Sequence, residues 1–281
     1  LVASGINLLN IFLDAVLIYG WGPIPAFGIS GAAAASSVSW WAGALWAAIA
    51  VRGRLGLPDR IPIGEAKRLL RVGGELFLRT GGLILFLLLA TRAATRIGAD
   101  AGAAHQAIRQ VWVFTNLFLD AFAITGQSLV GYFIGSGRVA EARRVSGVVC
   151  IWSAATGGAL ALIMWYGRTL AIAAFVPQAA VQIFLPAWLV AAAAQPLSAL
   201  SFATDGIHWG TGDFRYLRNA VAVATGCGAA ALVLLDKGRP DALSFIWIIT
   251  AGWIFVRALF GMIRIWPGVG KSPLTPRARE E

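Results

Sequence analysis

The feature of this sequence that most limits its fold is a series of long apolar segments separated by short polar ones. A helix needs about 20 apolar residues to cross the hydrocarbon core of a bilayer, and eight segments approach that length. Charged residues make up only 13% of the 281 residues, against about 25% in soluble domains. The chain therefore lacks the polar surface that water requires, and we predict an all-α, polytopic helical membrane protein. The predicted spans are residues 1–20, 27–51, 75–96, 103–137, 145–165, 180–209, 216–235 and 243–266.

The basic residues lie mainly in the connections between spans and indicate an orientation. With eight spans, fifteen of the 23 lysines and arginines fall on one side of the predicted membrane and only four on the other. The positive-inside rule assigns the basic side, which includes the C-terminus, to the cytoplasm. The net charge of +10 is thereby explained without a nucleic-acid partner, which we exclude.

The fourth span carries a polar stripe. Arg109, Asn116, Asp120 and Gln127 are separated by seven, four and seven residues, so they share one face of a helix with 3.6 residues per turn. An acidic side chain at bilayer depth costs about 2.5 kcal/mol or more unless it faces protein or water. Two interpretations remain open: the stripe joins two helices through polar contacts, or it lines a polar cavity.

The first span has a similar polar face. Asn7, Asn10 and Asp14 follow one another at steps of three and four, so they lie on one side of a helix. A carboxylate with carboxamide neighbours can hold a proton or a hard cation through oxygen ligands. A hydrogen-bonded contact between two helices is an equally good interpretation.

The third and eighth spans each add charged residues. Glu75 and Arg79 are four residues apart, close enough on a helix for an ion pair near the membrane interface. Arg257 either extends towards the interface or neutralises one of the acids inside the membrane.

The sixth span combines a proline with polar residues. Pro196 removes a backbone donor and predicts a kink, and carbonyls freed by it can serve as further oxygen ligands. Ser201 and Asp205 lie on adjacent turns, as do Thr204 and His208. Kinked membrane helices that present acids recur in ion-coupled transporters.

The sequence offers no pattern for an enzyme or a transition-metal site. The two histidines, His105 and His208, lie on different predicted helices, and no H-E-x-x-H motif occurs. Cys150 and Cys227 lie in apolar runs and are interpreted as buried small side chains. We expect no catalytic residues, no transition metal and no organic cofactor.

Six segments together resemble one family, the multidrug and toxic compound extrusion (MATE) transporters, and within it the DinF-like branch. The resemblance extends in order over most of the chain, and it is carried by NIFLDAVLIYG, GISGAAAASSVS, LFLRT, AAHQ, LDAFAITGQSLVGYFIGSG and DFRYLRNA. It implies a fold of twelve helices in two lobes of six that alternate between inward-open and outward-open states. The chain would then be a fragment that lacks the first four helices.

The resemblance also implies a division of the chain. Residues 1–51 would be the last two helices of the N-lobe, 52–72 a cytoplasmic connector, 73–266 the six-helix C-lobe, and 267–281 a disordered cytoplasmic tail. The protein would be a monomer in the inner membrane of a bacterium.

The function implied is an antiporter that expels small organic compounds, many of them cationic, while H+ or Na+ runs inward. The residues expected to couple ion movement are Asn10, Asp14, Ser36, Glu75 and Asp205. The residues expected to line the cavity or contact substrate are Asn7, Arg79, Asn116, Asp120, Gln127 and Thr204.

Two rival functions stay open. A flippase for lipid-linked saccharides, from the same superfamily, would favour a more cationic cavity, and Arg79, Arg109 and Arg257 are compatible with one. The other rival is a membrane-embedded enzyme or a packing subunit of a larger complex.

Overall fold

The computed structural model describes residues 2–56 and 63–275, and within these ranges the chain is helical with no β-sheet. The predicted all-α class is confirmed. The helices are α1 (Val2–Tyr19), α2 (Ile29–Leu55), α3 (Ile63–Ile97), α4 (Ala99–Gly135), α5 (Val139–Tyr166), α6 (Arg168–Phe175), α7 (Val181–Ala193), α8 (Gln195–Thr211), α9 (Phe214–Leu234) and α10 (Ala242–Ile265).

Most of these helices are long and apolar enough to cross a bilayer. Seven of them meet that condition singly, and α7 and α8 meet it together as a pair bent by 44°. Large apolar side chains such as Trp41, Phe77 and Leu234 are more than 70% exposed, which a water-soluble surface does not tolerate at this frequency. The protein is a multi-pass membrane protein, with eight crossings if the bent pair counts as one.

The break between α7 and α8 lies where the sequence predicts a kink. Helix α7 ends at Ala193, and Pro196 occupies the first turn of α8. The N–H groups of a first turn have no partner within their helix, so a proline there costs no hydrogen bond. Pro186, inside α7, does not end its helix. The break therefore follows from the position of a proline at the start of the second half.

The structure divides into two compact units, Leu1–Ala66 and Lys67–Glu281. In the first, α1 and α2 pack antiparallel along a stripe of small residues on α2. Gly31, Ala35, Ser39 and Gly43 recur every four residues, and all four are buried. A Cβ on Gly31 would come within 2.3 Å of the Leu17 carbonyl oxygen. Small side chains thus let the two backbones approach closely, as is typical of membrane helices.

In the second unit, α8 packs against α4, α5 and α10. A Cβ added to Gly206 would lie 2.1 Å from the Ala123 carbonyl oxygen of α4. On α5, a Cβ added to Gly157 would lie 2.8 Å from the carbonyl oxygen of Gln195. Glycines therefore determine how closely α8 approaches α4 and α5. They thereby also set the distance between the polar residues of α8 and these two helices.

The structure differs from the predicted connector and tail. Helices α2 and α3 extend into residues 52–72, while residues 57–62 lie outside the described part. The start of the tail, 267–275, packs against the end of α10 and is not disordered: Leu274 is 1% exposed, and Arg264 of α10 donates to the Val269 carbonyl at 2.5 Å. Residues 276–281 of the tail are outside the described residues.

Candidate functional site

An open cavity of about 320 Å³ lies in the second unit, among helices α3, α4, α8 and α10. Cavities of roughly 300 Å³ or more are large enough for small organic ligands. Its walls combine charged, amide and indole side chains, contributed by Arg79, Asn116, Asp120, Gln127, Asp205, Arg257, Trp112, Trp209 and Trp253.

Three of the four residues in the polar stripe of α4 contribute to one wall of the cavity. Asn116, Asp120 and Gln127 line the cavity. Arg109 is not on this wall, and its Nη1 donates to Gln106 Oε1 at 3.4 Å. It shares the angular position of the other three, but it lies about 10 Å along the helix axis from Asn116, beyond the end of the cavity.

The opposite side carries a charged triad around Asp205. One carboxylate oxygen, Oδ2, accepts a hydrogen bond from Arg257 Nη2 at 2.7 Å and another from Arg79 Nη2. The side chains are largely buried, with 10% exposure for Asp205, 7% for Arg257 and 14% for Arg79. The triad ties α3, α8 and α10 together and carries one positive charge more than it balances.

Each arginine of the triad lies over an indole ring. The Arg257 Cζ is 4.7 Å from the centroid of Trp253, and the Arg79 Cζ is 5.7 Å from that of Trp209. Such cation–π contacts are worth about 0.5–2 kcal/mol, more where water is excluded. The aromatic walls therefore help to hold the two guanidiniums in place.

Glu75 and Arg79 do not form the ion pair that their spacing allows. Glu75 pairs with Arg218 of α9, and its Oε1 is 3.5 Å from Arg215 Nε. Arg79 faces α8 and pairs with Asp205. The reason lies in the tertiary structure. Glu75 has two arginines on α9 as partners, and Arg79 has an aspartate on α8.

Asp205 and Glu75 are both expected ion-coupling residues, and both are occupied by arginines in this structure. Loss of the Asp205 charge would leave two largely buried arginines near one another without a counter-charge, which is costly. The arginines that pair with Glu75 are more exposed, at 57% for Arg215 and 30% for Arg218. In this conformation the two acids behave as fixed contacts between helices.

Thr204 was expected on the cavity wall, but the structure places it elsewhere. It is 1% exposed and faces α10, where a Cβ added to Gly261 would come within 2.4 Å of its hydroxyl. Its Oγ1 donates to the Leu200 carbonyl at 2.9 Å. Thr204 precedes Asp205 by one position, so on a helix it points about 100° away from the cavity.

In the first unit, Asn10 and Asp14 lie half-buried on α1. Asp14 Oδ1 and Asn10 Nδ2 are each buried without a hydrogen-bond partner in the described part of the chain. Such atoms carry a desolvation cost of about 1–3 kcal/mol, more for a charge. A proton on the Asp14 carboxylate, or a cation beside it, would remove the part of that cost that belongs to Asp14 Oδ1.

The other two polar residues predicted for this unit are exposed. Asn7 and Ser36 both lie on outward faces, whereas Ser39 is fully buried and its hydroxyl has no partner in the described structure. The close approaches of Gly31 to Leu17 and of Gly43 to Ile6 set a register that brings Ser39 to the level of Asn10. The hydroxyl facing α1 is thus Ser39 and not Ser36.

Two kinds of residue were missed by sequence reasoning, and each had a signal. Ser39 belongs to the small-residue stripe of α2, a pattern that marks a packed face. Trp209 follows Asp205 by four positions, and Trp253 precedes Arg257 by four, so each indole lies one turn from a charged residue.

Metal-binding side chains do not gather anywhere in the described ranges. Residues 2–56 and 63–275 contain no group of three or more histidine, cysteine, aspartate or glutamate residues placed to hold a metal ion. Of the charged groups of the cavity, Arg79, Arg257 and Asp205 form ion pairs with one another, and Asp120 lines the wall without an ion pair in the described ranges.

Comparison with known proteins gives consistent results. The MatE family profile matches residues 82–234. Protein DETOXIFICATION 44, chloroplastic, of Arabidopsis thaliana is 32% identical over 268 residues, which cover 94% of this chain and 50% of that protein. The probable multidrug resistance protein NorM of Deinococcus radiodurans is 35% identical over 136 residues, 46% of this chain and 29% of its own.

Solved structures share the fold at low sequence identity. A mutant of the Vibrio cholerae MATE transporter VcmN matches with a TM-score of 0.80 at 15% identity, over 97% of this chain and 62% of that one. A MOP superfamily transporter from Pyrococcus furiosus, whose binding pocket is described as having reverse polarity, matches with a TM-score of 0.75 at 19% identity, over 94% and 62%. The chain spans about half the length of the Arabidopsis relatives it matches.

Proposed function

This chain belongs to the MatE family, and from that premise we propose that the whole protein is a secondary active transporter. It exports small organic compounds across a membrane as an antiporter driven by H+ or Na+. The observation that carries the proposal is the cavity of about 320 Å³ among membrane-spanning helices, with charged and indole walls. Charged groups at such depth are expensive and are typical of a substrate or ion pathway.

The coupling ion acts at Asn10 and Asp14 in this proposal. The unpartnered Asp14 Oδ1 makes this site sensitive to a proton or a cation, whereas Glu75 and Asp205 already have arginine partners. Ion binding favours one conformation and substrate the other, and each shifts the equilibrium only by its differential affinity for the two states. Neutralising a carboxylate inside the membrane supplies a difference of a few kcal/mol.

The test is a flux assay on the whole protein in proteoliposomes. A fluorescent organic cation is loaded, and its movement is followed under an imposed proton gradient and then a sodium gradient. Asp14→Asn keeps the shape of the side chain but cannot change its charge, so we expect gradient-driven flux to fall at least about tenfold, the factor that corresponds to about 1.4 kcal/mol.

The matched control is Asp241→Asn. Asp241 is exposed in the loop between α9 and α10 and pairs with Arg239 at 3.0 Å, so its loss should leave flux unchanged. Undiminished ion-driven flux in Asp14→Asn would remove this residue from the coupling step. Absence of flux in the unmodified protein, for either gradient, would contradict antiport.

A flippase for lipid-linked saccharides is less well supported by the cavity. Arg79 and Arg257 line it, but both pair with Asp205, and Arg109 lies off the wall. Asp120 adds a further negative charge. The cavity is thus less cationic than a site for lipid diphosphates would require.

We propose further that the protein belongs to the DinF-like branch and acts as a monomer in the inner membrane of a bacterium. The basic connections and the C-terminus lie in the cytoplasm. The distribution of lysine and arginine supports this orientation.

A further inference from the structure

A groove separate from the candidate site lies between the last turns of α3 and α9. The two helices meet nearer the middle of the membrane, where Thr225 Oγ1 donates to the Gly82 carbonyl at 3.2 Å. One turn further on, a Cβ added to Gly228 would come within 2.6 Å of the Phe86 ring. Beyond these contacts, towards the ends of both helices, the groove has a volume of about 180 Å³.

Three cations line this groove, although it lies on the side of the membrane with few basic residues. Arg92 and Arg96 lie one turn apart on α3, and Lys237 follows the end of α9. Only four lysines and arginines belong to the connections on this side, and two of them, Arg96 and Lys237, are at the groove. The positive-inside rule does not account for such a concentration.

The two arginines have no anionic partner among the residues that the structure describes. In the ranges 2–56 and 63–275, neither guanidinium lies within 4.0 Å of a carboxylate oxygen, and both side chains are exposed. Arginines near the end of a helix can also serve its free carbonyls. Here neither Arg92 nor Arg96 donates a hydrogen bond to a carbonyl of the described chain, so both are free to bind an anion.

Lys237 holds the α9 side of the groove in place. Its Nζ donates to the Leu235 carbonyl at 3.3 Å, at the end of α9. The neighbouring acid, Asp236, does not line the groove and accepts a hydrogen bond from the Gly238 N–H at 2.9 Å. The groove therefore keeps its positive charge.

The rest of the groove is apolar and opens towards lipid. Leu89, Leu232 and Val233 line it, and Leu89 lies about 4.5 Å nearer the membrane centre than Arg92. Val233 is 75% exposed, and Leu88, beside Leu89 in the chain, is 60% exposed. The volume is below the roughly 300 Å³ of a pocket that encloses a small organic ligand, so a headgroup fits the groove while longer chains lie outside it.

We propose that this groove binds the phosphate of one anionic phospholipid, whose acyl chains lie along the exposed apolar surfaces of α3 and α9. The guanidiniums of Arg92 and Arg96 bind the phosphate oxygens, for which their planar arrays of N–H donors are suited. Lys237 adds a third positive charge at the rim. This inference goes beyond the proposed transport and does not depend on it.

Other occupants satisfy less of the groove. A soluble phosphate leaves its apolar part without a partner. A zwitterionic phospholipid brings a cationic group towards three cations, where like charges repel. An anionic phospholipid meets both the charge and the apolar surface.

Lipid retention by the whole protein tests the proposal. The protein in detergent is mixed with phosphatidylglycerol, with phosphatidylcholine of the same acyl chains, or with soluble glycerol phosphate, and native mass spectrometry measures the bound fraction. We expect one phosphatidylglycerol to be retained about tenfold or more tightly than either of the other two probes.

A double variant, Arg92→Gln with Arg96→Gln, should remove this preference. The matched control is Arg168→Gln with Arg239→Gln, which takes the same charge from the same side of the membrane. Arg168 is exposed and Arg239 pairs with Asp241, and both lie outside the groove. The control should retain phosphatidylglycerol as the unmodified protein does.

A second variant changes the shape of the groove without changing its charge. Ala229 lines the groove, so Ala229→Phe should fill part of it and lower retention of phosphatidylglycerol. This variant decides the matter if the arginine variant does not fold.

Three results would overturn the inference. The first is equal retention of phosphatidylglycerol and phosphatidylcholine by the unmodified protein. The second is glycerol phosphate bound as tightly as the lipid, which would make the groove a site for free phosphate. The third is an equal effect of the two double variants, which would show a response to net charge alone. Flux measurements bear only on the proposed transport, because retention is measured without a gradient.

Discussion

Asp205 has an unusual share of the charge contacts in this protein, because one of its carboxylate oxygens serves two arginines on different helices. Its removal would leave two guanidiniums close together in a poorly solvated region. Breaking a buried ion pair by deleting one partner costs about 3–5 kcal/mol, far more than the pair itself contributes relative to an apolar replacement. Removing the Asp205 carboxylate alone should therefore destabilise the protein more than replacing the whole triad by apolar side chains.

We expect Asp205→Asn to lower the free energy of unfolding by about 3 kcal/mol. The amide retains the shape and some hydrogen bonding but supplies no counter-charge to Arg79 and Arg257. Unfolding in mixed micelles, followed by loss of helical circular dichroism, measures the change. An unfolding curve that superimposes on that of the unmodified protein would show that the triad adds no stability.

The exposed pair Arg239–Asp241 is the control for this prediction, and Asp241→Asn should leave unfolding at neutral pH almost unchanged. The adjacent guanidinium lowers the pKa of the Asp241 carboxyl below its ordinary value. Any stability from this pair is therefore present above the carboxyl's unfolded pKa and is lost as the pH falls through the lowered value. Because both side chains are about half exposed to solvent, at 47% and 48%, that contribution is small.

At the scale of elements, helix α8 is the part of the second unit that brings the site together. It packs against α4, α5 and α10, and its partner helices approach it at glycines. Close approach brings the α4 stripe and Asp205 to the same cavity. A side chain at one of these glycines would separate the helices and disturb the site without touching a charged group.

Gly206→Ala is expected to destabilise the protein by about 1–3 kcal/mol, as overpacking of a tight interface does. The added methyl would lie 2.1 Å from the Ala123 carbonyl oxygen, so α4 and α8 must move apart. Thermal unfolding in detergent gives the magnitude.

Gly252→Ala on α10 is the matched comparison, because nothing lies within 4 Å of its added Cβ. It should be neutral or stabilising by up to about 1 kcal/mol through helix propensity. If the two variants unfold at the same temperature, the contact between α4 and α8 is not as close as the structure indicates.

At the scale of the whole molecule, the arrangement of spans places many more lysines and arginines on one side of the membrane than on the other. With the bent pair as one span, the α4–α5 and α9–α10 connections lie on opposite sides. The first carries Arg138, with Arg143 and Arg144 in the adjoining turns of α5, and it lies on the side with most of the basic residues. Charge and helix count thus give one consistent orientation.

Cysteine labelling tests that orientation in intact cells. After Cys150 and Cys227 are replaced by alanine, a membrane-impermeant maleimide should label Pro240→Cys from outside and Arg144→Cys only after the membrane is opened. The reverse pattern would invert the topology, and labelling of both from outside would contradict the count of spans between them.

The sequence by itself determined the features that depend on local geometry. Length and apolarity defined the spans, Pro196 located the break, and helical periodicity placed Asn116, Asp120 and Gln127 on one face. These follow because a membrane helix makes its hydrogen bonds within its own segment, so its limits and faces are visible in the order of residues.

Only the tertiary structure decided which charged groups meet. Glu75 pairs with Arg218, 143 positions away, and Asp205 pairs with Arg79 at a separation of 126. Periodicity cannot supply such contacts, because it says which way a side chain points and not which helix lies there. The choice of Ser39 over Ser36 has the same origin: the close approach of two backbones at glycines decides which of several similar hydroxyls is buried.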